Sequence, residues 1–220
     1  IGIAKNYKEK VINDIFKLSN DENDEVRNSV EEIMAKLAPY SAKELEPFLQ
    51  YLGPQSEARL RNQTIKLIAS SDVDMTPYVD GFAYALTEKD RELRIIILAG
   101  FLKITSTQPL KVAVAVIPLV ADEDKPVQEA AKKVMGQINI VSSTDIQMLS
   151  GFLKSNNKMQ VRLQALNLLM NAKNLVWDPI IKDLAGCLSD PEIELKKIAL
   201  KAVFLVGNSG NDRERSVKTL

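Results

Sequence analysis

The chain of 220 residues contains no histidine. That absence removes Ser-His-Asp and Cys-His nucleophile systems, histidine-bearing zinc sites and imidazole acid–base chemistry, leaving carboxylates and lysines as the remaining catalytic groups. Cysteine is almost as scarce. Cys187 stands alone, so no intrachain disulfide can form, which fits a reducing compartment such as the cytoplasm. Its place between Leu184 and Leu188 in a helical pattern makes it a small buried apolar residue rather than a reactive thiol. Neither sign of charge prevails, because 29 basic residues balance 29 acidic ones. A dedicated nucleic-acid or membrane-surface binder carries a basic excess, so neither nucleic acid nor a membrane is the expected partner. Aromatic residues make up only 5% of the chain, which leaves few platforms on which bases could stack.

Long apolar runs are missing too. No stretch reaches the length needed to span a bilayer, so no membrane insertion is expected. The opening "IGIAKNYKEK" lacks the apolar core of a secretory signal and an initiator Met, as in a processed or trimmed piece of a longer chain. There is no glycine-rich phosphate loop, no CxxC pair and no EF-hand spacing. "DENDE" at 21–25 lacks the loop glycine and terminal Glu of a calcium site and reads as a solvated turn. No cofactor, no metal and no catalytic residue is expected, and the chain is not expected to be an enzyme.

What the sequence does have is 45% hydrophobic residues, ample for a core, and a repeat. An aliphatic residue followed by a basic or amide one recurs at Val26-Arg27, Leu60-Arg61, Leu93-Arg94, Val127-Gln128, Val161-Arg162 and Leu195-Lys196. By subtraction the spacings are 34, 33, 34, 34 and 34 residues. With the aliphatic position as zero, +4 holds Val30, Thr64, Ile97, Ala131, Ala165 and Ala199. Position +7 holds Ile33, Leu67, Gly100, Val134, Leu168 and Ala202; +8 holds Met34, Ile68, Phe101, Met135, Leu169 and Val203. Positions 0, +4, +7 and +8 make one stripe on an α-helix, with small residues where helices would approach closely.

A first helix precedes each stripe. Leu45, Phe48, Leu49 and Leu52 follow the i, i+3, i+4, i+7 cadence, as do Val79, Phe82, Ala83 and Leu86, and Ile181, Leu184, Ala185 and Leu188; Ile146, Leu149, Ser150 and Leu153 follow it with one lapse. Ser41 with Glu44 makes a capping box, while Thr76-Pro77 and Asp178-Pro179 pair a cap residue with proline at the first helical position. Asp90 and Asp190 are the clearest caps of the second helices. "KVAVAVIPLVAD" at 111–122 alternates like a strand, but the repeat places Ala113, Val116, Ile117 and Val120 on a first-helix stripe, so a helix loosened near Pro118 is expected. A helical pair cannot bury both its faces alone, whereas six in series build a continuous core. The expected fold is therefore all-α, an α-solenoid of about six pairs at 5–38, 41–71, 75–105, 108–140, 143–173 and 177–207, with 208–220 as a flexible tail or linker.

"DEVRNSVEEIMAKL", "DKPVQEAAKKVMGQI", "MQVRLQALNLLM" and "DPEIELKKIALKAV", each a turn leading into a helix with small residues along it, resemble the HEAT-repeat (armadillo-like) family. The resemblance covers residues 7 to 206 in six copies. A tetratricopeptide array shares the 34-residue period, but its W-x-x-L-G-x-x-Y first helix has no counterpart here. The resemblance implies a right-handed superhelix whose second helices line a concave, non-catalytic binding face. It also implies a ladder of charge-assisted hydrogen bonds between turn aspartates and helix arginines. Here those roles fall to Asp24, Asp90, Asp124 and Asp190, and to Arg27, Arg61, Arg94 and Arg162. Gln128 and Lys196 interrupt the arginines, and repeats two and five lack the aspartate.

On such a face, positions +2, +6 and +9 of the second helices become candidates for contact with a partner. In the middle and later repeats these include Ile95, Ala99, Leu102, Leu163, Asn167, Met170 and Phe204, with Lys66, Lys133 and Lys201 between them. An apolar strip studded with lysines suits a protein partner, either an amphipathic helix or an extended peptide with acidic flanks. Wide apolar coverage would instead be core if Ile95, Leu102, Leu163 and Met170 are buried. The alternative function is that of HEAT-like DNA glycosylases, to which only Trp177-Asp178 bears any likeness; Asp178 before Pro179 reads as a helix cap. Leu200, Phe204 and Leu205 in the last helix suggest further repeats or a homodimer contact through the C-terminal repeat.

Overall fold

The computed structural model describes residues 7–139, 146–172 and 180–208, which contain helices and no strand. The Thr76-Pro77 start and the Ser41–Glu44 capping box lie among them; Trp177, Asp178 and Pro179, the start of the fifth pair, and the tail from 209 lie outside the described residues. Two compact units divide the chain after Ile104, at the border of the third and fourth repeats.

In the first unit the described residues form three helical pairs. The second helices are α2 (Asp24–Leu37), α4 (Ala58–Ser70) and α6 (Arg91–Phe101), preceded by α1 (Lys8–Lys17), α3 (Ala42–Leu45) and α5 (Val79–Ala85). In the second unit α8 (Lys125–Met135), α10 (Met159–Asn171) and α12 (Ile193–Asn208) follow α7 (Pro109–Val116), α9 (Ile146–Ser150) and α11 (Ile181–Leu188). The sequence therefore locates all six second helices.

First helices are less regular. Four of the six continue or end as tighter 3-10 turns: Leu18–Asn20 after α1, Glu46–Tyr51 after α3, Ile117–Ala121 after α7 and Gly151–Leu153 after α9. Pro47 and Pro118 explain two of these, since proline removes the amide that the next α-helical bond needs. The helix expected through "KVAVAVIPLVAD" is present, tightening where Pro118 enters.

Start signals work by satisfying the first free amides. Asn23 accepts from Glu25 N at 2.8 Å, Asp90 from Leu93 N at 3.0 Å and Asp124 from Val127 N at 3.2 Å. Ser41 and Glu44 complete the reciprocal capping box of α3. Burial pushes the Glu44 carboxyl up, but the Ser41 amide and hydroxyl and the Lys8 ammonium outweigh it and hold the group below its ordinary value.

The stripe positions build the cores. Val30, Thr64, Ile97, Ala131, Ala165 and Ala199 are all buried. Ile33 departs from the stripe: it is 40% exposed. Position +5, outside the expected stripe, buries Ile65, Leu98 and Leu166 completely. Within the first unit Phe16 meets Phe48 edge-on at 4.5 Å between ring centres, and Phe82 lies 6.3 Å from Phe101. The second unit relies on small residues instead, with Ala131, Ala165, Ala199 and Ala202 fully buried, so that α10 and α12 pack closely. Cys187 is buried as expected, and burial pushes its thiol pKa up.

Candidate interaction surface

At Arg27, Arg61, Gln128 and Arg162, position +1 of the second helices turns back toward the connector of its own pair. Arg27 donates to the carbonyls of Asp21 (2.6 Å) and Glu22 (2.8 Å) and pairs with Asp24 one turn before it. Arg61 donates to Gly53 O (3.0 Å) and Ser56 O (2.7 Å). Arg162 donates through Nε to Leu153 O at 3.0 Å, and Gln128 reaches Asp122 O at 3.3 Å. These carbonyls close the turn between the paired helices, and a planar, multi-donor side chain satisfies several at once.

Arg61 and Arg162 also reach the next pair. Arg61 meets Glu88 at 2.5 Å with the Tyr84 ring centre 5.0 Å away, and Arg162 meets Asp190 at 2.5 Å. Backbone donation from Glu192, followed by the Arg162 guanidinium, holds the Asp190 carboxyl below its usual range. Of the expected ladder acids, Asp190 makes the step between repeats, Asp24 pairs within its own helix, and Asp90 and Asp124 cap helices. Glu88, which belongs to no motif, takes the place of an aspartate opposite Arg61.

The second helices of the first unit leave a furrow. One hollow of about 270 Å³ lies between α2 and α4, with Val30, Met34 and Ala35 on one side and Leu67 on the other. A second, of about 440 Å³, lies between α4 and α6, where Ala69 faces Ile96, Ala99, Gly100 and Lys103. Both hollows include Lys66 and Ser70, so they adjoin. Lys66 and Lys103 are exposed and make no ion pair among the described residues. At the α2 end, Glu31 accepts a hydrogen bond from Gln63. Tyr40, in the wall of the first hollow, donates to the Met34 carbonyl; burial, with a smaller contribution from Glu44, pushes its pKa from 10.0 up to about 12. The furrow thus offers apolar walls and two free cations, and it can accept aliphatic side chains beside carboxylates.

Of the candidate contact residues, Lys66 and Ala99 line this furrow. Ile95 and Leu102 do not; they are half-buried, and the neighbouring Ile96, Gly100 and Lys103 line it instead. In the second unit Met170, Lys201 and Phe204 share an apolar hollow with Leu200 and Leu205, between α10 and α12. Lys133 and Asn167 are exposed, Leu163 and Met170 half-buried. Among the described residues no cluster of acidic or cysteine side chains could hold a metal ion, and no helix is long and apolar enough to cross a membrane.

The fold places the chain in the class of all-α helical-repeat proteins. No protein-family model matches it and no curated protein matches it. Among solved structures it is similar to the MAST/Orbit N-terminal domain, at 17% identity and a TM-score of 0.50, with 82% of this chain and 90% of that one covered. Two engineered proteins are also similar in part. One is 16% identical with a TM-score of 0.43 over 95% of this chain and 97% of its own; the other is 14% identical with 0.45 over 94% and 67%. At such identities the likeness to the MAST/Orbit domain is one of fold alone.

Proposed function

We propose that the chain is a non-catalytic protein-interaction scaffold of the HEAT-repeat kind, working in a reducing compartment such as the cytoplasm. Its first unit holds a partner helix or extended peptide against α2, α4 and α6. The observation that carries this reading is the furrow itself. Its two hollows join at Lys66 and Ser70, combining apolar walls with cations that no described residue neutralises. Such a surface rewards a partner with aliphatic anchors and acidic neighbours, because the anchors leave water while the carboxylates keep a counter-charge. The buried Cys187 thiol agrees with a reducing compartment.

Selection of displayed random peptides on the purified protein tests the proposal. Enriched peptides are expected to combine aliphatic residues at helical spacing with Asp or Glu. The double variant Lys66→Glu/Lys103→Glu is expected to bind them at least tenfold more weakly, about 1.4 kcal/mol. Both lysines are exposed, so the variant keeps its fold. No enrichment, or equal binding by the double variant, would overturn the reading. Retention of duplex DNA on a filter at low salt would favour the nucleic-acid alternative instead.

A further inference from the structure

The charged side chains that line the two hollows of the first unit are Glu31, Lys66 and Lys103. They belong to successive second helices, so the furrow runs minus at α2, plus at α4 and plus just beyond the end of α6. All three are exposed, and none makes an ion pair among the described residues. Glu31 does accept a hydrogen bond from Gln63 of α4, through Oε1. The neutral amide steadies the carboxylate beside the hollow and leaves its charge uncompensated. Other charges of α2 are already spent, since Arg27 pairs with Asp24 and Lys36 with Glu32.

The walls also decide what kind of backbone can lie here. Helical walls spend their amides and carbonyls on their own ladders, and toward the helix ends the Met34 and Leu67 carbonyls already accept from Tyr40, Ser70 and Ser71. An extended chain laid on Ala35, Leu67, Ala69 and Ile96 gives up water from its amides with no partner in return. A helix arrives with its backbone already satisfied. The hollows lie on either side of α4, and packed helices sit about 8–10 Å apart. A helix laid across them advances about 10 Å in seven residues, so side chains i and i+7 of one face fall one in each hollow.

We infer that the furrow takes an amphipathic helix of mixed charge and holds it in one orientation. One apolar anchor enters the hollow between α2 and α4 with a basic residue beside it, toward Glu31. A second, seven residues away, enters the hollow between α4 and α6 with acidic residues beside it, toward Lys66 and Lys103. The inference rests on the scaffold reading above and narrows it, from a helix or extended peptide with acidic neighbours to a helix basic at one anchor and acidic at the other. Turned end for end, the same helix would set its basic residue against Lys103 and a carboxylate against Glu31. Those like-charge contacts at both ends turn the wrong orientation away, as they do a helix that is acidic throughout.

A displayed library of alanine-based helices tests the inference. Two apolar anchors are fixed seven residues apart, and the positions beside each are drawn from Lys, Glu and Gln. Selection on the wild type is expected to enrich helices with Lys beside one anchor and Glu beside the other, and selection on Glu31→Lys to enrich Glu beside both. In an enriched helix, exchanging the Lys for Glu should weaken binding to the wild type by about tenfold or more, and Glu31→Lys should restore it. Exchanging the Glu beside the other anchor for Lys should be restored by Lys103→Glu instead. Glu31 and Lys103 are exposed, and circular dichroism checks that each variant keeps its fold. Helices acidic beside both anchors from the wild type, or restoration by either variant alike, would overturn the inference and leave the scaffold reading standing. So would random peptides that bind through Lys66 and Lys103 without helical spacing. If neither library yields a binder, both readings fall.

Discussion

Arg61→Met tests the reading of the position +1 arginine most directly. The side chain is almost wholly buried, ion-paired to Glu88 at 2.5 Å, bonded to the Gly53 and Ser56 carbonyls at 3.0 and 2.7 Å, and stacked near Tyr84. Methionine keeps much of the volume and none of the donors. A hydrogen bond from a charged donor is worth about 1.5–3 kcal/mol net, but Gly53, Ser56 and Glu88 are all half-buried and can recover water. The expected loss is therefore about 3 kcal/mol rather than the full sum. Against a total stability of roughly 5–15 kcal/mol that is a large fraction. With a urea slope of about 2 kcal/mol/M it moves the midpoint down by about 1.5 M, read by circular dichroism. Arg61→Gln should fall between wild type and Met, because Gln128 shows an amide serving the same carbonyl role in another repeat. Crossing Arg61→Met with Glu88→Gln should give a coupling of about 1–2 kcal/mol. If Arg61→Met costs less than about 1 kcal/mol, or Gln is no better than Met, the turn-closing role assigned to position +1 is wrong.

Other consequences are simpler to measure. A Cβ added at Gly81 would stand 2.5 Å from the Leu52 Cβ, so Gly81→Ala should destabilise by about 1–3 kcal/mol. Gly53→Ala, with nothing within 4 Å, should be close to neutral in the same unfolding assay. Tyr40 ionises near 10 when unfolded and near 12 when folded, so its contribution is intact below pH 10 and is lost as pH rises toward 12. Allowing for partial screening, the loss amounts to about 1–2 kcal/mol, and Tyr40→Phe should flatten that part of the pH–stability profile.

The six second helices were legible because their stripe recurs at one spacing and a helix must bury such a stripe. Position +5 was not. Ile65, Leu98 and Leu166 are fully buried there, but Glu31 and Lys132 occupy the same place in other repeats, so alignment hides the pattern. In the furrow the offset was small and physical. The α4 and α5 helices pack on α6, and of the residues left beside the furrow Ile96 and Lys103 line it while the half-buried Ile95 and Leu102 do not. Glu88 could not have been found from a motif, since its partnership with Arg61 depends on where a connector passes and not on the spacing of residues along it.

The way position +1 closes the turns bears on how this sequence can change over time. Arg27, Arg61, Gln128 and Arg162 reach back from the helix to hold backbone oxygens of the turn, and a backbone oxygen is the same whatever side chain stands beside it. The connectors are thereby released from encoding their own path. "SNDEND", "PQSE", "ADEDK" and "KSNNK" share almost nothing, yet each leads into a second helix. Inheritance can be strict at one helical position and permissive across the four to six residues it governs, so the loops are free to acquire new recognition chemistry while the frame stays as it was.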